Sequence, residues 1–145
     1  MWKTLIDSIK DTLDELTGTG QPLQVAYDYP RKDLEGYPAA IFFPASFTNQ
    51  YDSTTENKKE YTFSIFLLTE TRVMGLQNAY NTAMPELVDD VIAKFDEDWN
   101  QGQTTIGEHR VWWTIASGAW ALVEAEKETY LQAELTLTVS FNTNV

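Results

Sequence analysis

GYPAAIFFPASFTNQYDSTTENKKEYTFSIFLLTE, residues 36–70, is the stretch that decides the fold. Its first run, Tyr37 to Pro44, is nearly all apolar. Its second, Lys59 to Thr69, alternates, so that Tyr61, Phe63, Ile65 and Leu67 share one face. A two-residue period marks a strand with a buried side. Phe66 and Leu68 add apolar groups to the other side, so burial on both faces is expected there. Between the runs, Ala45 to Asn57 keeps no apolar period and reads as a long polar loop. Loops of that length inside compact domains are uncommon, and are usually functional or disordered. If the two strands pair directly, they form a long hairpin whose tip projects from the body. Phe47, Asn49, Gln50, Tyr51, Asp52, Thr54 and Glu56 set no nucleophile beside a base. They suit contact with another protein better than chemistry.

Upstream, Trp2, Leu5, Ile6, Ile9, Leu13 and Leu16 recur at three- and four-residue steps, one stripe of an amphipathic helix. Gly18 and Gly20 end it and Pro22 prevents its resumption. Leu23 to Tyr27 is a short strand candidate, followed by a turn at Pro30 to Asp33. Downstream, Val73 to Trp99 carries a second helix. Pro85 lacks an N–H and clashes with the preceding turn, so one kinked helix is expected there, with a fresh start near Thr82 as the alternative. Glu108 to Ala116 and Ala119 to Glu124 read as strand around Ser117-Gly118. In the last segment Leu131, Ala133, Leu135, Leu137, Val139 and Phe141 alternate with Gln132, Glu134, Thr136, Thr138 and Ser140. The expected architecture is a single α+β domain over residues 1–145, in the order α-β-β-β-α-β-β. Its two main helices pack on a mostly antiparallel or mixed sheet of about five strands.

The chain of 145 residues is 43% hydrophobic and 13% aromatic, enough to bury a core and too apolar for disorder. It has no cysteine, which excludes disulfides and cysteine-ligated metals and fits a reducing compartment. Charges interleave the N-terminal apolar positions, unlike a signal peptide, and no run is long enough to span a membrane. The formal net charge of −12 repels nucleic-acid phosphates and anionic membranes. Besides an ordinary acidic surface, it suits a wall past which DNA slides, or a surface that imitates DNA.

Catalytic constellations are missing. His109 is the only histidine and stands next to Arg110 with no motif around it, so a packing or surface role is expected. Asp89-Asp90 and Asp96-Glu97-Asp98 lack calcium-loop spacing and diverge around a helix. Gly18-Thr19-Gly20 leads out of a helix, so it is no dinucleotide loop. No enzyme activity, cofactor or metal site is expected. Trp112 and Trp113, adjacent on a strand, must point to opposite faces, one into the core and one toward a helix, a loop or another subunit.

In the order of its parts the chain resembles the tail terminator (tail completion) proteins of long-tailed bacteriophages. An amphipathic helix through Leu16 precedes GYPAAIFFP at 36–44, and FTNQYDSTTENKKEYTFSIFLL follows at 47–68. Then come PELVDDVIAKFDED at 85–98 and a Trp-bearing strand followed by ETYLQAELTLTVSF at 128–141. The likeness covers most of the chain, although Trp112-Trp113 and Pro85 are not part of the pattern. It implies a virion structural protein at the neck end of the tail, assembled in the host cytoplasm. Such a protein forms a homohexameric ring that caps the major tail-tube protein, ends tube polymerisation and offers a joining surface to the head-completion or connector protein. DNA meets it only as passing cargo, and no membrane is involved. On this reading Phe47, Asn49, Gln50, Tyr51, Asp52, Thr54 and Glu56 form the oligomer or tube interface, with the polar side of Gln132–Ser140 as a second surface. The rivals are another neck or minor tail component, an acidic DNA mimic that inhibits a nuclease, and a hydrolase using scattered acids.

Overall fold

The apolar sides of two helices and one sheet meet in a single layer of packing. The computed structural model describes residues 2–31, 33–51, 56–72, 75–97, 105–106, 109–124 and 129–144. Helix α1 (Trp2–Asp14) buries Leu5, Ile9 and Leu13, the stripe its periodicity predicts. Gly18 and Gly20 follow at φ 116° and 79°, where a side chain is strained, so the chain reverses there. Strands β1 (Val25–Tyr27), β2 (Ala39–Tyr51) and β3 (Glu56–Glu70) come next. A helical run of three parts follows: α2 (Leu76–Asn78), a π-helical turn (Ala79–Ala83) and α3 (Met84–Glu97). The chain ends in β4 (Thr105–Ile106), β5 (His109–Glu124) and β6 (Thr129–Asn144).

The sheet order is β1-β2-β3-β6-β5-β4, with β4 only two residues long. The α+β expectation holds, with a mixed sheet, since β1 pairs parallel to β2 and the other pairings are antiparallel. On the helix-bearing side, Phe42, Phe63, Ile65, Leu67, Leu131, Leu135, Leu137 and Phe141 are buried with the α1 and α3 stripes. A smaller cluster of Tyr27, Ile41 and Leu68, with Phe43 and Phe66 packed on it, lies on the opposite side. The two-sided burial predicted at the end of β3 is thereby met.

Three expectations change. The loop read at Ala45 to Asn57 is mostly strand, since β2 runs on through Tyr51 and β3 begins at Glu56. Backbone rungs continue from Ser46 opposite Thr62 to Tyr51 opposite Asn57. The period vanished because the register shifts between Pro44 and Ser46, leaving Ala45 as an extra residue. A bulge of this kind swaps which parity faces the core: Ala40 and Phe42 before it, Phe47 after it. Likewise, β5 does not break at Ser117-Gly118 but bulges between Ile115 and Ser117. At Gly118 an added Cβ would lie 2.8 Å from Leu135 Cδ2, so a larger residue there would displace the end of that side chain. The predicted strand at Leu23 to Tyr27 begins at Val25, while Leu23 makes an isolated bridge to Thr17.

Pro85 sits in the first turn of α3 without ending the helical run. The preceding π turn widens the backbone, with the Met84 N–H donating to the Ala79 carbonyl five residues back. The helical run is continuous across Pro85, as the one-helix expectation has it, while α3 itself starts at Met84 with Pro85 in its first turn, close to the alternative start near Thr82. The outer parts of the predicted Val73–Trp99 span lie outside the described residues. Phe63 is fully buried at the centre of the sheet and meets Trp2 and Phe42. Its replacement by Ala is expected to cost about 3–5 kcal/mol, measured as a lower urea midpoint at unchanged slope.

Candidate protein–protein interface

Three surfaces remain after the core is assigned: the β2–β3 hairpin, the helix-free side of the sheet and the outer edge of β5. On the hairpin, Phe47 is 64% exposed, and its ring lies edge-on to Trp2 and Tyr61 at 6.4 Å. Trp2 in turn stacks on Tyr61, with centroids 3.9 Å apart, and thereby fastens the start of α1 to the hairpin. Asn49 is exposed and opposes Lys59, while Gln50 opposes Lys58 and Tyr51 opposes Asn57. Glu56 pairs instead with Asn144 of β6. Asp52 and Thr54 lie outside the described residues. The predicted residues that are described thus form strand rungs leading to the hairpin tip instead of a free loop.

The second predicted surface, the polar side of Gln132–Ser140, faces away from the helices in mid-sheet. Thr62, Ser64 and Thr114 join it as cross-strand neighbours of Thr138 and Thr136. The Ser64 hydroxyl donates to Glu134 Oε1 at 3.5 Å. This is a hydroxyl-rich plane with one exposed acid.

The tryptophans divide as predicted. Trp113 is 3% exposed, packs edge-on against Phe95 at 5.0 Å, and donates its Nε1–H to the Phe95 carbonyl at 3.0 Å. Trp112 lies on the other face and is partly buried. Trp120 and Leu122 stand on the helix-bearing side, opposite Ala133 and Leu131, yet are 43% and 39% exposed. Neither helix covers them.

The third surface was missed from sequence. Among the described residues nothing pairs with the outer edge of β5 beyond Arg110. Ala116 to Leu122 are all exposed. No Asp, Glu, Lys or Arg occurs from Val111 through Val123, although the chain holds 22 acids. That uncharged run was the available signal, because solvated edge strands usually carry charge to deter pairing.

Chemistry finds little footing. Among the described residues no group of three or more His, Asp or Glu is placed to hold a metal ion. A cleft of about 340 Å³ is lined by Gly20, Pro22, Pro38, Glu86, Leu87 and Asp90. A second, of about 240 Å³, lies among Thr12, Glu15, Lys94 and Glu97, where Lys94 and Glu15 pair at 2.6 Å. Neither sets a nucleophile beside a base. No described helix is long and apolar enough to cross a membrane.

No protein-family model matches the chain, and a search of curated proteins found no significant relative. The contrast between the two tryptophans is measurable. Trp113→Ala is expected to destabilise the domain by about 3–5 kcal/mol. Trp120→Ala should stay within about 0.5 kcal/mol of the parent, as read by chemical denaturation of each variant.

Proposed function

We propose that the protein is a ring-forming structural component of a long-tailed phage that caps the tail tube, ends its polymerisation and serves as the joining surface toward the head. The observation that carries this reading is the pair of unlike open edges on one sheet. The β1–β2 flank and the β5 flank differ in sequence and outline, and closing a ring takes two dissimilar, complementary surfaces on each subunit. The far end of the hairpin, where Thr48–Tyr51 pair with Asn57–Glu60, adds a further element suited to seating such a ring on a tube end. Exposed carboxylates at Asp7, Asp11, Asp89, Asp90 and Asp96 make the helical side strongly negative. A negative wall repels phosphates and lets DNA pass without being held.

The test is reconstitution with the major tail-tube protein of the same phage. Tubes polymerised with the chain present should be shorter and carry an end cap of six 16.6 kDa copies, visible by electron microscopy. Replacing residues 50–58 by Asn-Gly would close a tight hairpin between Asn49 and Lys59, which already oppose each other. That variant should keep the circular dichroism spectrum of the parent and lose tube capping. Tubes of unrestricted length with bare ends in the presence of the parent chain would overturn the reading. No shift of duplex DNA is expected in a low-salt gel.

A further inference from the structure

The two flanks of the sheet are stepped. On one side β1 adds a strand only alongside Ala39–Ile41, so β2 is uncovered from Phe42 to Tyr51 among the described residues. On the other side β4 adds a strand only alongside His109–Arg110, so among the described residues no strand covers β5 from Val111 to Glu124. The two steps lie at opposite ends of the sheet. Rows of paired residues run from Val25 through Ala39, Leu68 and Gln132 to Ala121. By the same rows Ala26 is level with Trp120 and Tyr27 with Ala119. The projecting strand on one flank thus stands at the level where the other flank is vacant.

We infer that copies of this chain join by adding β1 of one copy to the open edge of β5 in the next, with Val25, Ala26 and Tyr27 opposite Ala121, Trp120 and Ala119. This inference rests on the ring reading and names the contact that would make the ring. Three observations carry it. First, β1 and β5 run in opposite directions within the sheet, so copies related by rotation about the strand direction bring them together antiparallel. That pairing gives a strand partner to the two border strands, each of which has a described neighbour on one side only at this level. Second, side chains on each face alternate in size across the joint. Trp120 meets Ala26 on the helix-bearing side, and Ala119 and Ala121 meet Tyr27 and Val25 on the other. Third, a chain of net charge −12 repels its own copies, and both edges are free of charge, from Leu16 to Tyr27 and from Val111 to Val123. A second copy is therefore the occupant whose shape, direction and charge fit. Pro44, which has no N–H, and the bulge at Ala45 make the open part of β2 a poorer strand acceptor. The joint does not involve the hairpin rungs from Phe47–Tyr61 to Tyr51–Asn57.

The absence of native cysteine makes the contact directly testable, because Gln24 and Leu122 fall opposite each other one rung further along. Both are exposed, so Gln24→Cys and Leu122→Cys should fold. Under mild oxidation a mixture of the two variants should give a disulfide-linked dimer, and each variant alone should stay unlinked. Separately, Ala121→Lys should shift the parent's assembly to monomer by light scattering, with its thermal midpoint retained. The inference is overturned if Leu122→Cys alone links into dimers, which would mean a two-fold β5–β5 contact. It is equally overturned if the mixture stays unlinked, if Ala121→Lys assembles like the parent, or if the parent is monomeric at every concentration tested. Capping of tubes by the parent in any of those cases would leave the ring reading standing with a different subunit contact.

Discussion

The long ladder between β3 and β6 is the constraint from which the rest of the structure follows. Its register is unbroken from Glu56 opposite Asn144 to Glu70 opposite Tyr130. An unbroken register keeps Tyr61, Phe63, Ile65 and Leu67 beside Val139, Leu137, Leu135 and Ala133, so one continuous apolar plane is presented to the helices. Burying an aliphatic or aromatic side chain of this kind contributes about 1.5–3 kcal/mol each. Helix α1 and the α2–α3 run settle on that plane through Leu5, Ile9, Leu13, Leu87, Val91 and Phe95. A one-residue slip in the ladder would turn all of these contacts to water at once.

Irregularity is confined to the strands outside this ladder. Both β2 and β5 carry an extra residue, Ala45 and Ala116, and both bulges fall across the row of Phe63 and Leu137. Bulges raise local twist and bend the strand that contains them, so the sheet is curved along one line while its centre stays regular. Beyond that line the flanks lose helix cover, which leaves Phe47 exposed on one side and Trp120 and Leu122 on the other. Fold and interaction surface are thus linked: the helices that bury the centre of the sheet leave these side chains on its flanks exposed.

Legibility followed from how locally each feature is encoded. The α1 stripe, the alternation in β3 and β6, and the opposed faces of Trp112 and Trp113 depend only on spacing along the chain, and all were readable. The extension of β2 was not, because Ser46 to Tyr51 are held by backbone rungs to β3, which leave no apolar signature. Ser117-Gly118 imitated a turn for a similar reason. Its glycine answers to the Leu135 side chain across the sheet, a neighbour no local pattern announces.

The sequence by itself determined the element types, the α+β class, the stripe and alternation that build the core, and the charge that governs long-range encounters. These depend on side-chain chemistry at fixed local periods. Tertiary structure alone decided which strands lie at the sheet's borders, where the bulges reverse parity, and that an uncharged thirteen-residue stretch of β5 has no outer strand partner among the described residues. Edge and interior strands can share the same composition. What separates them is the presence or absence of a neighbour contributed by a distant part of the chain, and that is settled only when the whole sheet has formed.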